Sequence, residues 1–544
     1  MDRKEFLKTM TLAGIGTPFL LNGMPSRVMN RFADFSISCD EVNERSLVIL
    51  RLAGANDGLN TVIPISQYDT YANLRPNIKI ANTGAGGYIS LDSTVSQEKL
   101  VGLNPSMTGF KSLYDSGKLT LFNGVGYPNP NYSHFRSENL MFSGKDGANN
   151  QDLFDGIFGR YLGALNPGLG GNPTVLNPDP LAMQFGNLNP CLFYEHAVEK
   201  SIEYNATGFQ NTLFNSLKSA NAQQLVSPSE YNDLLNYVKG VAASMDSYYN
   251  RVMSVFNAGN NSTVTYPNSS LGKQLKTVAR LIKGGSKTKI FQVNITGFDT
   301  HVNQVQTGST NLGSHANLLG DISNSILAFQ SDLENLGLVN RVLTVTFSEF
   351  GRQVRENASL GTDHGDLAPF FVVGNNISSG IRGDHPVFTN STNYYYNQSQ
   401  RRFDYRQIFA SIIQDWLGAD SGLMDTVDLQ SFVTPSQKVE IVVPNKSANV
   451  VCAASLFTEE KASIKKMKIY PNPADIFITL DFGLEDCVKS HIQIFDSSGR
   501  QILELHNSEQ VFRIPIENFK NGLYVLTVLC ENGKRFSEKF LVKH

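Results

Sequence analysis

Short, nearly unbroken apolar runs recur along the first 440 residues, and most lead into a glycine-flanked turn carrying an acidic residue or a histidine. The run 47–52 leads to Gly54 and Asn56-Asp57-Gly58, and the run 119–122 leads to Gly124 and then Ser133-His134. The run 290–295 leads to Phe298-Asp299-Thr300-His301. The run 342–347 leads to Ser348-Glu349-Phe350-Gly351-Arg352 and then Thr362-Asp363-His364-Gly365, ahead of a further run at 370–373. Apolar residues at successive positions suit strands covered on both faces of a mostly parallel sheet. Between the runs, Leu318, Leu319, Ile322, Ile326, Leu327, Phe329 and Leu333 fall at helical spacing over 316–336, and 403–417 repeats that pattern up to Gly418. The expected core is therefore an α/β, doubly wound, mostly parallel sheet over residues 40–440. The stretch 194–287, richer in helix signals, reads as a helical insertion beside the site.

Such sheets place their active sites beyond the carboxyl ends of the strands. Asp and His residues gathered there are what a hydrolytic metal site needs. Asp57 is one expected ligand, with a self-bonded Asn-Asp-Gly turn as the alternative. Asp299 and His301 are two apart, so extended chain points them to one side. Asp363 and His364 can meet on one ion where the flanking glycines let the backbone turn sharply. Ser133 precedes a helix and is either its cap or a nucleophile aided by the helix dipole. His134 is a ligand or a base. Arg352 either neutralises an anionic substrate or pairs with Glu349 or Glu356. His315 and His385 are weaker ligand candidates.

After residue 443 the character changes. A polar linker over 441–466 leads to alternating strands at 476–480, 492–495, 512–514, 523–529 and 536–542, with turns at 496–500 and at Glu531-Asn532-Gly533-Lys534. This reads as a small all-β sandwich over 467–544. The five cysteines include no C-x-x-C pair, and Cys487 and Cys530 either pair or are small buried residues. Arg3 and Lys4 ahead of an apolar stretch at 10–21 read as an export signal within residues 1–35. No other stretch reads as a membrane span. A net charge of −3 gives no basis for binding nucleic acid or anionic membranes.

The tail residues Tyr470-Pro471-Asn472-Pro473-Ala474, Asn521-Gly522-Leu523-Tyr524 and the basic end resemble the sorting domain of the Bacteroidota type IX secretion system. That resemblance implies the type IX machinery as partner and a cell-surface or extracellular location. The amino terminus is similar to a twin-arginine signal with lysine in place of the second arginine, and the general secretory route stays open. The segments Arg51 to Pro64, Gly297 to His301, Ser348 to Arg352, Gly361 to Gly365, Ser133-His134-Phe135 and Asp404-Tyr405-Arg406 together resemble the bacterial domain-of-unknown-function family 1501. The family is related to the alkaline phosphatase and sulfatase superfamily, which implies an alkaline-phosphatase-like fold.

By that resemblance Asp57, Asp363 and His364 hold one divalent ion, zinc or manganese, and Asp299 with His301 a second. Ser133 is then the nucleophile, assisted by His134 or Arg352, on a phosphate or sulfate ester, with an anionic ester or glycan as substrate. The departures are Phe298 and Asn104, where the family often has Trp and His, and the lack of a late histidine as a last ligand. Two other readings stand beside it: a surface binding protein that keeps the fold without turnover, and a metal-free serine hydrolase. No Gly-x-Ser-x-Gly elbow, phosphate-binding loop or dinucleotide fingerprint is present.

Overall fold

The computed structural model describes residues 44–148, 153, 155–166, 178–186, 190–195, 198–199, 201–204, 250–389, 394–396, 398–448, 468–481, 490–496, 500–509, 511–530 and 535–544. The expected export signal, Cys39, most of the 441–466 linker, Cys487 and the turn 531–534 lie outside the described residues. The chain falls into two compact units, one comprising Asp40–Tyr161 and Gly171–Val451, the other built around Cys452–His544.

The first unit is organised by a nine-stranded sheet. Its strands are β1 (Ser46–Ala53), β2 (Leu119–Gly126), β3 (Ala182–Phe185), β4 (Ser201–Tyr204), β5 (Ile290–Thr296), β6 (Val342–Phe347), β7 (Ala368–Val373), β8 (Gly380–Arg382) and β9 (Phe403–Asp404). The order across the sheet is β8-β2-β7-β6-β1-β5-β3-β4, with β9 joined to β2. β1 lies at the centre, parallel to both β5 and β6. Only β7 runs against the rest, antiparallel to β6 and to β2. The mostly parallel α/β core expected from the apolar runs is present.

Helices cover both faces because alternate residues of each strand point to opposite sides. Val48, Leu50 and Leu52 pack with Phe110 of α1 (Thr108–Asp115), with Leu275 and Val278 of α3 (Ser270–Lys283), and with Leu319, Ile322 and Ile326 of α4 (Ser314–Asn335). On the other face Arg51 donates from Nε to Glu138 Oε1 of α2 (His134–Ser143) at 2.5 Å. There the Phe347 ring meets Phe142 at 4.9 Å and Phe370 and Phe409 at 6.3 Å. Each large apolar side chain so buried contributes roughly 1.5–3 kcal/mol.

Two expectations change. The stretch 194–287 is not wholly an insertion: Ser201–Tyr204 forms the outer strand β4, parallel to β3, and α3 packs on β5 as a core helix. Residues 205–249 between them lie outside the described residues. The 403–417 segment is not one helix. Phe403–Asp404 pairs with β2, then α5 (Tyr405–Ser411) passes into a π-helical turn at Ile412–Trp416, ahead of Gly418 at φ +80°.

The tail forms a three-stranded antiparallel sheet (Lys468–Tyr470, Phe477–Asp481, Val511–Pro515) and a four-stranded one (Gln501–Asn507, Ser490–Asp496, Gly522–Cys530, Arg535–Val542). Ile478, Leu480 and Ile514 from the first share one core with Ile492, Ile494, Leu526 and Val528 from the second, so the two sheets make the expected sandwich. No described helix is long and apolar enough to cross a membrane.

Candidate metal centre

Four loops converge at one edge of the main sheet. Three leave the carboxyl ends of the neighbouring parallel strands β5, β1 and β6, carrying Asp299 and His301, Asp57, and Glu349 and Arg352 respectively. The fourth carries Asp363 and His364 and precedes β7. Because β7 is reversed, its amino end lies at that same edge, which brings a preceding loop to the place where following loops gather. Residues 363–365 then pair with 351–353: Gln353 N donates to Asp363 O at 2.9 Å and Gly365 N to Gly351 O at 2.8 Å. His134 arrives on the first turn of α2, after β2.

The loops pass too closely for side chains at two glycines. A Cβ on Gly54, at φ +113°, would lie 2.4 Å from Asp299 N, and one on Gly361 would lie 2.3 Å from His301 O. Glycine at both positions is thus a condition of the site.

Asp299 Oδ1 is the focus. His301 Nε2 lies 3.1 Å from it, His364 Nε2 3.4 Å and His134 Nε2 3.5 Å. His301 Nε2 and His364 Nε2 are 2.9 Å apart. One ligand atom each from His134, Asp299 and His364 falls within 4.8 Å of the others. Every imidazole is oriented from behind through Nδ1. That atom faces Glu349 Oε1 at 2.7 Å for His134, Asp363 Oδ1 at 2.8 Å for His301, and the Tyr132 carbonyl at 2.7 Å for His364. An Nδ1–H held by an acceptor fixes the tautomer that leaves the Nε2 lone pair free, the usual arrangement for metal-binding histidines.

The residues fit a divalent transition metal. His134 Nε2 is buried and has no hydrogen-bond partner, an orphaned acceptor aimed at the cluster. Ligand atoms on a tetrahedral zinc ion lie about 3.3 Å from one another, given Zn–N and Zn–O bonds of about 2.0–2.2 Å. The contacts around Asp299 Oδ1 are of that size. Imidazole donors with one carboxylate are a donor set that divalent transition metals accept.

Charge supports the same arrangement. The hydrogen bond to Glu349 is the main cause of a raised pKa at His134, against partial burial. Burial lowers the pKa of His364. At Asp299 burial pushes upward, but the hydrogen bond and charge of Arg352 outweigh it and keep the carboxylate ionised. Asp363 is held low in the same way, by hydrogen bonds from His301 and Asn357 acting against burial.

Of the expected site residues, Asp299, His301, Asp363, His364 and His134 are brought together, in altered roles. Asp363 orients His301. Asp57 is fully buried: its Oδ2 accepts from Arg75 Nη1 at 2.6 Å and Gln304 Nε2 at 2.5 Å, and the ion pair keeps it charged against the penalty of burial. Its other oxygen, Oδ1, is buried without a hydrogen-bond partner, so Asp57 is anchored through Oδ2 alone, and its expected sharing of an ion with Asp363 and His364 stays a proposal. Arg352, expected as an anion-binding group, is anchored as well. Its guanidinium is fully buried, donating to the carbonyls of Ala55, Thr362, Phe298 and Gly54 and to Asp299 Oδ1 at 2.7 Å. It pairs with Asp299, not with Glu349 or Glu356.

Ser133 occupies the N-cap position of α2, exposed, and its hydroxyl makes no capping bond. His315 is buried against Asn56 Oδ1 at 2.9 Å and His385 against the Pro386 carbonyl at 3.0 Å, so neither joins the cluster. Sequence reasoning missed the roles of Glu349, Asn357, Arg75, Gln304 and the Tyr132 carbonyl. For Glu349 a signal existed, since it follows a strand in the same way as the other site residues.

Residues 208–422 match the model of a protein family of unknown function, DUF1501, and residues 468–543 match the secretion system C-terminal sorting domain. No curated protein matches the chain in sequence. Among solved structures, the chain is similar to PorZ, a surface component of the type IX secretion system of Porphyromonas gingivalis, at 18% identity, covering 16% of this chain and 13% of that one, with a TM-score of 0.14. It is similar to a protein in the alkaline phosphatase superfamily from Vibrio parahaemolyticus at 8% identity, covering 90% and 81%, with a TM-score of 0.29. It is also similar to a Bacteroides thetaiotaomicron protein described with the metabolism of multiple glycosaminoglycans, at 8% identity, covering 91% and 89%, with a TM-score of 0.31. The chain thus joins an α/β core carrying the DUF1501 match to a type IX secretion sorting domain, which assigns it to export to the cell surface or extracellular space.

Proposed function

We propose that the exported core is a metal-dependent hydrolase of phosphate or sulfate esters. The observation that carries this reading is the convergence of His134, His301 and His364 on Asp299 Oδ1, each imidazole held from behind through Nδ1. These four side chains would hold one divalent ion. When bound, the ion supplies Lewis-acid polarisation of an ester oxygen or an activated water. This reading takes one ion at the cluster in place of the two expected from sequence, with Asp57 Oδ2 paired to Arg75.

The chain's own groups suit an anionic ester. Ser133 presents an exposed hydroxyl at the start of α2, whose first turn carries no acidic residue, so the positive end of the helix dipole is not offset there. The buried Arg352 acts by holding Asp299 in place and ionised, not by meeting the substrate.

A second reading, a surface protein that holds the metal without turnover, is favoured by one observation. No hydrogen bond joins the Ser133 hydroxyl to the cluster among the described residues. Aryl phosphate and aryl sulfate hydrolysis by the zinc- and manganese-loaded protein separates the two. The hydrolase reading expects turnover that falls at least about 100-fold in Asp299→Ala. Metal binding without any turnover supports the second reading, and turnover unchanged in Asp299→Ala excludes the first.

A further inference from the structure

The side chain of Gln304, just beyond the Asp299–His301 turn, is fully buried and makes three hydrogen bonds. Its Nε2 donates to Asp57 Oδ2 at 2.5 Å. Its Oε1 accepts from Thr300 Oγ1 at 3.0 Å and from Thr362 Oγ1 at 2.9 Å. Thr300 lies between Asp299 and His301, and Thr362 precedes Asp363 and His364. One amide therefore grips both loops that carry the cluster and fastens them to the buried Asp57–Arg75 pair.

The direction of the bonds is fixed along the whole chain. Arg75 Nη1 donates to Asp57 and to Asn60 Oδ1, and its Nε and Nη2 donate to the carbonyls of Val354 and Gln353. The ionised Asp57 accepts only, so Gln304 must present its NH₂ to the carboxylate and its oxygen to the two threonines. The backbones join at the same place, where Thr362 N donates to Thr300 O at 3.1 Å.

We infer that Gln304 is a positioning residue for the metal centre, holding the Asp299–His301 turn in register with the Asp363–His364 turn by way of Thr300 and Thr362. This rests on the reading of the cluster as a metal site. It assigns the Asp57 turn a function, that of fixing the orientation of Gln304 and not of binding the ion.

The test uses the full chain, with Zn²⁺ affinity measured by competition with a chromophoric chelator and the visible spectrum of the Co²⁺-loaded protein as a second readout. Thr300→Val and Thr362→Val each remove one hydroxyl donor at constant shape. Each is expected to weaken Zn²⁺ binding by about 3–10-fold, less than the roughly 10–100-fold for groups bonded to the ligands themselves, and to alter the Co²⁺ absorption. Thr362→Val added to Gln304→Leu should cost nothing further, because Gln304 is the acceptor through which Thr362 acts. Tyr266→Phe removes a hydrogen bond to the buried Asp332, away from the site, and controls for general loss of stability. It should leave Zn²⁺ affinity unchanged.

Should Gln304→Leu fail to fold, the two threonine variants decide alone. A wild-type protein that binds Zn²⁺, with both threonine variants within about twofold of it, overturns the positioning role and leaves the metal site standing. Full additivity of Thr362→Val with Gln304→Leu also overturns it. A wild-type protein that takes up neither Zn²⁺ nor Co²⁺ overturns the metal reading and this inference together.

Discussion

His301 and His364 place their Nε2 atoms 2.9 Å apart, while Asp363 and the Tyr132 carbonyl occupy the two Nδ1 atoms. Two bare ring nitrogens at that distance repel each other, and two N–H groups would collide, a conflict that a cation between them relieves. Asp299 Oδ1, 3.1 and 3.4 Å from the same two atoms, supplies the negative charge that a cation there would meet.

Metal uptake should therefore compete with protons. His134 has a raised pKa, first because Glu349 accepts from it, so the apo site keeps its proton to higher pH than an ordinary histidine. Zn²⁺ affinity is expected to rise with pH through that titration. In the apo protein the charged His134–Glu349 pair contributes stability below the unfolded histidine pKa, and that contribution is lost as pH rises through the folded pKa. Glu349→Gln should shift the onset of Zn²⁺ binding to lower pH, as read by chelator competition from pH 5 to 8 in steps. An unshifted onset would remove Glu349 from this role.

Asp57→Asn should separate anchoring from ligation. It leaves Arg75 buried without a counter-charge, which costs about 3–5 kcal/mol in urea unfolding, while saturating Zn²⁺ stoichiometry stays at the wild-type value. Loss of the bound ion at saturation would restore Asp57 as a ligand.

Acid should unfold the core through two histidines outside the cluster. Burial pushes both His315 and His385 down to about 4. Between pH 6.5 and 4 the unfolded chain takes up protons at these sites and the folded chain does not, so stability falls as pH falls across that window. Each contributes at most about 3.5 kcal/mol to that loss, since one pKa unit corresponds to about 1.4 kcal/mol. Urea midpoints at pH 7, 5.5 and 4.5 should fall less steeply for His385→Gln. A slope equal to wild type would show that His385 charges freely in the fold.

The parts of this molecule that sequence revealed are those that local pattern controls. The strand at Val342–Phe347 was legible because buried parallel strands are apolar at every position, and α4 because Leu319, Ile322, Ile326, Phe329 and Leu333 repeat at helical spacing. Asp299, His301 and His364 were legible because glycine-flanked turns after apolar runs mark strand ends. What stayed hidden depends on pairing at long range. Nothing local shows that β7 is reversed, or that Arg75 from another turn pairs with Asp57. The outer strand Ser201–Tyr204 lies beside a long stretch with helix signals, and only its pairing with β3 marks it as a strand.

The most direct test of the account is the metal content of the purified chain after Zn²⁺ incubation and desalting, measured beside Asp299→Ala and His364→Ala. The account expects close to one zinc per wild-type chain and loss of that ion in both variants. Wild-type protein that retains no zinc or manganese, or variants that retain as much as wild type, would contradict it.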